Sequence, residues 1–188
     1  IPVTVVILTA LFLMQKHGTG KIGIIFGPIM LVWFLTLAVL GIANIVNYPL
    51  IFRALNPVWA VRFFLENKLH AFVVLGAVFL VITGAEAMYA DLAHFGRNPI
   101  RQAWFFVAMP CLLLNYFGQG ALLLGGNGIT PDNLFFKLAP VAFTVPLVVL
   151  ATIATIIASQ AVITGAFSLM KQAVSLGFWP RVSIVHTS

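Results

Sequence analysis

A single carboxylate, Glu86, stands in an apolar stretch. Ala71 to Ala85 carry no charge, and Phe72, Val73, Val74, Leu75, Val78, Phe79, Leu80, Val81 and Ile82 make the run oily. An ionisable group at membrane depth costs roughly 2.5 kcal/mol or more, and such groups usually lie on an ion or proton pathway. Directly before it comes Thr83-Gly84. A glycine beside a threonine in mid-span is where a transmembrane helix can break and turn free carbonyls toward a cation.

At 100° per residue, Thr83, Glu86, Ala90 and Ala93 fall on one stripe. The two alanines allow another helix or an ion to approach closely. A half-helix ending at Thr83 would aim the partial negative charge of its carbonyls at the bilayer midplane. Those carbonyls and the Thr83 hydroxyl suit a hard cation, and the Glu86 carboxyl can carry a proton. The competing reading is a structural glutamate paired with an arginine or a backbone group elsewhere. Asp91 and His94 are secondary candidates, as an interfacial pair or as a gate and proton exit, and Tyr89 joins them. Glu86 and His94 stand eight residues apart, a weak spacing for a metal, and no HExxH pair occurs. No resident metal or cofactor is expected. Ser159, Ser168 and Ser175 have no nearby histidine within a plausible motif, so the chain is not expected to be an enzyme.

The elements that must position these residues follow from composition. Hydrophobic residues make up 62% of the chain and charged residues 7%, against about 25% charge in a soluble domain. Mean hydropathy is +1.10. The apolar runs are continuous rather than alternating, which excludes a membrane β-barrel. The expected class is an all-α polytopic membrane protein with the lipid bilayer as its partner. The net charge of +6 comes from Lys and Arg in loops between apolar runs, the ordinary topogenic pattern, so nucleic acid is excluded as a partner. Cys111 is alone in an apolar run and reads as a small buried hydrophobe.

The chain begins without Met inside an apolar run and stops at Ser188. The expectation is a piece of a longer membrane protein whose remaining helices pack against this one. The opening run has no basic segment and no small-residue cleavage site, so it is not a signal peptide. Residues 1–188 read as part of a single transmembrane domain with spans at about 1–14, 22–48, 71–95, 102–124 and 138–170, the third broken near Thr83-Gly84. Pro28 is placed in the first turn of the second span, and Pro49 ends it. Between Arg53 and His70, Asn56-Pro57 marks a turn. The apolar part that follows reads as a short interfacial helix, with Trp59 and Arg62 at headgroup level. Gly96 to Arg101 reads as a tight basic loop and Gly125 to Asn133 as a glycine-rich one. The uncharged run from Leu138 to Met170 spans about 50 Å at 1.5 Å per residue, longer than the hydrocarbon core.

Loops alternate sides. Lys16, Lys21, Arg97, Arg101, Lys171 and Arg181 fall on one side; Arg53, Arg62, Lys68 and Lys137 fall on the other, offset by Glu66 and Asp132. The first side is predicted to be cytoplasmic. In the last span, Thr152, Thr155 and Ser159 share one face, and Gln160, Thr164 and Ser168 another. Their hydroxyls are expected to bond the preceding turn or a neighbouring helix rather than line a second ion path. Asn115, Tyr116 and Gln119 are expected to bond between helices.

These residues also carry a resemblance. TGAEAMYADLAHFG at 83–96 closely resembles the signature TGAEALYADxGHFG of the KUP/HAK/KT potassium uptake permeases. FGPIMLVWF and ALNP precede it, NYFGQGALLL follows, and QAVITGAFSLMKQA, LGFWPR and IVHTS close the chain. Met88 and Ala93 replace a common Leu and Gly, and Leu134 stands where Pro is frequent. The resemblance implies an APC-superfamily transporter with a LeuT-type inverted-repeat fold, of which these residues are about helices four to eight. It implies proton-coupled potassium uptake, with potassium and protons as cargo. By position in TGAE, Thr83 would be a potassium ligand and Glu86 the coupling acid. The acidic residue of the family's first helix lies outside this sequence, so these residues hold only part of a site. A transporter of the same fold for another small substrate is the alternative. The expected location is the plasma membrane, the inner membrane in a Gram-negative cell, crossed several times. A homodimer is one expected assembly.

Overall fold

The computed structural model describes residues 5, 9, 20–82, 97–126, 133–178 and 180. Among these residues every regular element is helical. The elements are α1 (Gly20–Asn47), a 3-10 helix (Pro49–Leu55), α2 (Pro57–Asn67), α3 (Leu69–Ile82), α4 (Arg97–Ala103), a π turn (Trp104–Ala108), α5 (Met109–Leu124), α6 (Leu134–Lys137) and α7 (Val141–Ser175). Three helical runs are long and apolar enough to cross a membrane: Ile25–Asn47, Arg97–Leu124 and Val141–Ser175, with mean hydropathies of 2.5, 1.5 and 2.5. Only 17–22% of the most apolar stretch of each is buried. Helices this oily with most of their surface outward have hydrocarbon as their solvent. The chain is an all-α, polytopic membrane protein.

Helix ends follow local chemistry. Tyr48 precedes Pro49, and proline disfavours the α conformation in the residue before it; Tyr48 sits at φ −137°, ψ 72°, and α1 stops at Asn47. Asn56 caps α2, its Oδ1 accepting from the Val58 N–H at 3.0 Å, with Pro57 in the first turn. The Asn-Pro pair is therefore a helix start as well as a turn. At the far end of α7, Gly177 takes φ +78°. The Phe178 N–H donates to the Ala173 carbonyl at 2.9 Å and the Gly177 N–H to that of Val174 at 3.1 Å, the paired bonds of a Schellman cap. A Cβ on Gly177 would meet nothing within 4 Å, so Gly177→Ala probes the backbone alone. It is expected to weaken this cap by about 1 kcal/mol, read as faster amide exchange at Gly177 and Phe178. Unchanged exchange would show that the cap contributes nothing.

Three boundaries differ from the sequence reading. Residues from Arg97 onward are helical rather than a basic loop, because Pro99 falls in the first turn, where its missing N–H has no partner to lose. Pro28 lies two turns inside α1, which begins at Gly20; in hydrocarbon an unpaired backbone is costly, so the helix runs on past polar and glycine residues. The last helix opens at Val141, after Pro140, and continues through Lys171 and Gln172 to Ser175. Hydropathy marks where oil ends, whereas Lys and Gln are good helix formers.

Candidate functional site

Thr83, Glu86, Tyr89, Asp91 and His94, with the expected break at Thr83-Gly84, lie outside the described residues. Leading to them is α3, described to Ile82. The described residues build a helical frame.

Its centre is the pairing of α1 with α5. Gly41 lies against Gly118 and Tyr48 against Gly125, while Ile45 and Ala121 share one buried cluster with Ile51. Contacts further along α1 fall further along α5, Gly41 with Gly118 and Tyr48 with Gly125, so the helices run parallel. The Gly20 end of α1 and the Arg101 end of the Arg97–Leu124 run therefore lie on one side of the bundle. A Cβ on Gly118 would sit 2.5 Å from Gly41 Cα, and one on Gly41 would sit 2.9 Å from the Asn115 backbone nitrogen and closer still to the Leu114 carbonyl. Only two glycines permit this approach, the usual device for packing helices where lipid competes for every apolar surface. The buried residues of α5, Cys111, Asn115, Gly118 and Ala121, recur at helical spacing. That small-residue stripe was the available sequence signal for the seam. Cys111 is buried and free.

Above this seam α5 is preceded by the π turn, where the Met109 N–H reaches the Trp104 carbonyl five residues back. Pro110 accounts for it: proline offers no N–H and crowds the carbonyl four residues earlier, and a wider turn relieves both.

Polar groups divide sharply. The hydroxyls of Thr152, Thr155, Ser159 and Thr164 donate to the carbonyls of Val148, Ala151, Thr155 and Gln160 at 2.8–2.9 Å. Bonded to their own helix, they are not poised as a second ion path. Among the described residues an interhelical bond comes from an amide that the sequence reading did not single out. Asn44 Nδ2 donates to the Leu40 carbonyl at 2.8 Å and to the Leu138 carbonyl at 3.1 Å, tying α1 to the segment before α7. Among the described residues Asn115 is buried with no partner for its Oδ1, and Gln160 with none for its Nε2. Tyr116 is half exposed. Phe135 of α6 packs on Trp33 of α1, ring centroids 5.7 Å apart.

The sequence profile of the K+ potassium transporter integral membrane domain matches residues 1–188. The chain belongs to this potassium transporter family. It is 58% identical over 188 residues to a probable potassium transport system protein Kup of Polynucleobacter asymbioticus, covering all of this chain and 29% of the relative. It is 60% identical to the low affinity potassium transport system protein Kup of Pectobacterium atrosepticum, covering 30% of it. A probable potassium transport system protein Kup of Pseudomonas fluorescens is 57% identical, with 30% covered. The chain thus spans under a third of the length of these curated potassium transporter relatives. No solved structure matches it.

Proposed function

We propose that the chain supplies central helices of a potassium permease of the plasma membrane, one that takes up potassium coupled to protons. The observation that carries this reading is the family match along every residue, with relatives named as potassium transport proteins. The helices belong to one LeuT-type transmembrane domain, with spans at about 1–14, 22–48, 71–95, 102–124 and 138–170. The third breaks near Thr83-Gly84. Freed carbonyls and the Thr83 hydroxyl hold the potassium ion, and Glu86 carries the proton. Tyr89, Asp91 and His94 flank the path toward the cytoplasm. Helices of the full-length protein beyond this sequence complete the site.

Thr83→Val in the full-length protein tests the ligand assignment. It keeps the side-chain shape and removes one oxygen. In reconstituted vesicles the half-saturating potassium concentration is expected to rise at least about tenfold, equivalent to roughly 1.4 kcal/mol. An unchanged value at matched protein amounts would remove Thr83 from the site. Failure of the unmodified protein to move potassium in either direction would end the functional reading itself.

A further inference from the structure

We propose that α2 lies flat in a membrane–water interface, with its Val58, Val61 and Leu65 face sunk among lipid acyl chains and phospholipid phosphates at Arg53 and Lys68. The occupant of this face is the bilayer surface, not another protein.

Placement comes first. The apolar span of α1 runs to Asn47, and the seven-residue 3-10 helix Pro49–Leu55 is all that separates its end from the Asn56 cap. At the other end Lys68 alone separates α2 from α3, whose Leu69–Phe79 stretch is apolar. Both ends of α2 are thus tethered within a few residues of helices that belong in hydrocarbon, which holds α2 near the bilayer surface. The turn at Lys68 is sharp: φ 44°, ψ −117°, a backbone region that L residues rarely enter. The chain changes direction there instead of continuing one long helix.

The faces come next. At 100° per residue Val58, Val61 and Leu65 share one side of the helix, and Trp59, Arg62, Phe63 and Glu66 line a shallow surface depression that begins beside it, with Arg62 about 40° from Val58. No residue of α2 is buried. Phe64 packs on Phe72 of α3, ring centroids 5.7 Å apart, so the contact with protein is made beside the valine–leucine face and leaves that face open. Val58, Val61 and Leu65 are 63%, 58% and 72% exposed. On the flank of that face Arg62 Nε donates to Glu66 Oε1 at 2.6 Å and its guanidinium lies 5.9 Å over the Trp59 ring. The hydrogen bond to Glu66 holds the Arg62 guanidinium above its ordinary range. An apolar stripe flanked by a charged pair that can reach back to headgroup level, with an arginine stacked on tryptophan, is the pattern of a helix lying in the interface plane. Arg53 and Lys68, both exposed, mark the two ends of the helix. A lipid phosphate layer supplies the anions that complement them, which an apolar protein groove would not.

The test uses the full-length protein, native cysteines replaced, in nanodiscs of phosphatidylcholine with phosphatidylglycerol. Val61→Cys, Leu65→Cys and Glu66→Cys each carry a nitroxide, with Val58→Cys as substitute should one fail to fold. Collision rates with oxygen, which concentrates in hydrocarbon, and with a water-soluble nickel chelate are compared. Labels at 61 and 65 are expected to favour oxygen several-fold, and the label at 66 to favour nickel. Nickel-dominated rates at 61 and 65 would put the face in water. Low rates with both reagents would mean that protein covers it, from the rest of the chain or a second copy. Either result overturns the proposal.

Discussion

Glu86→Gln in the full-length protein is expected to abolish potassium uptake driven by a pH gradient while leaving insertion and folding intact. Glutamine preserves the shape and hydrogen-bonding reach of the side chain and removes its titration. The stretch before Glu86 is uncharged from Ala71 to Ala85, so no neighbouring acid in that run can take over the proton. An acid in such surroundings is retained at a cost of roughly 2.5 kcal/mol or more, which makes a passive role expensive. If proton and potassium are coupled through this carboxyl, each changes the affinity of the other by the same factor, and that coupling disappears with the titrating group. Uptake is measured in vesicles with an imposed inward proton gradient, beside the unmodified protein at matched amounts. Residual exchange of potassium across the membrane without a gradient would separate loss of coupling from loss of the ion site. Undiminished gradient-driven uptake would return Glu86 to a structural role.

Gly41→Val and Gly118→Val are expected to cost at least about 3 kcal/mol each, the upper end of overpacking penalties. The reason is geometric. At Gly41 the obstacle to a side chain is the backbone of Leu114 and Asn115, and at Gly118 it is the backbone of Gly41. Backbone cannot rotate out of the way as a side chain can, so the two helices must separate. Separation opens the cluster of Ile45, Ile51 and Ala121, against which Tyr48, Leu114 and Phe117 pack. Gly27→Ala and Gly76→Ala are the controls. A Cβ at either meets nothing within 4 Å, and alanine is favoured over glycine inside a helix by up to about 1 kcal/mol. Thermal unfolding of the purified full-length protein should show large losses for the first pair and none for the second. Equal melting of all four variants would mean that the glycine seam is not a stabilising contact.

The membrane class and most helix ends were legible in the residues. A chain with 62% hydrophobic and 7% charged residues has no soluble solution. Pro49 and the Asn56-Pro57 pair act on the backbone locally, so they mark boundaries without reference to the rest of the molecule, whereas the start of α7 after Pro140 was not read from the sequence. The short helix carrying Trp59 and Arg62 was legible for the same reason, since its two faces are written within eleven residues. The candidate site is also a matter of local sequence: Thr83, Glu86, Tyr89, Asp91 and His94 stand within one short stretch, recognised from an acid in an apolar run and from its signature.

Partner choice among the helices was decided only in three dimensions. Hydropathy ranks α1, α5 and α7 as oily and cannot say which oily surface meets which, because lipid is as good an apolar neighbour as another helix. What selects the α1–α5 pair is shape: Gly41 and Gly118 let two backbones meet in parallel, and no periodicity in α1 alone specifies that Gly118 is its counterpart. The same holds for Asn44, whose bond to the Leu138 carbonyl spans 94 residues of sequence, while Asn115, one of the three side chains the sequence reading favoured for such bonds, is buried with its oxygen unpaired among the described residues. A buried amide finds its partner only where the fold brings a carbonyl within 3 Å or so of it, and that depends on how closely the helices approach.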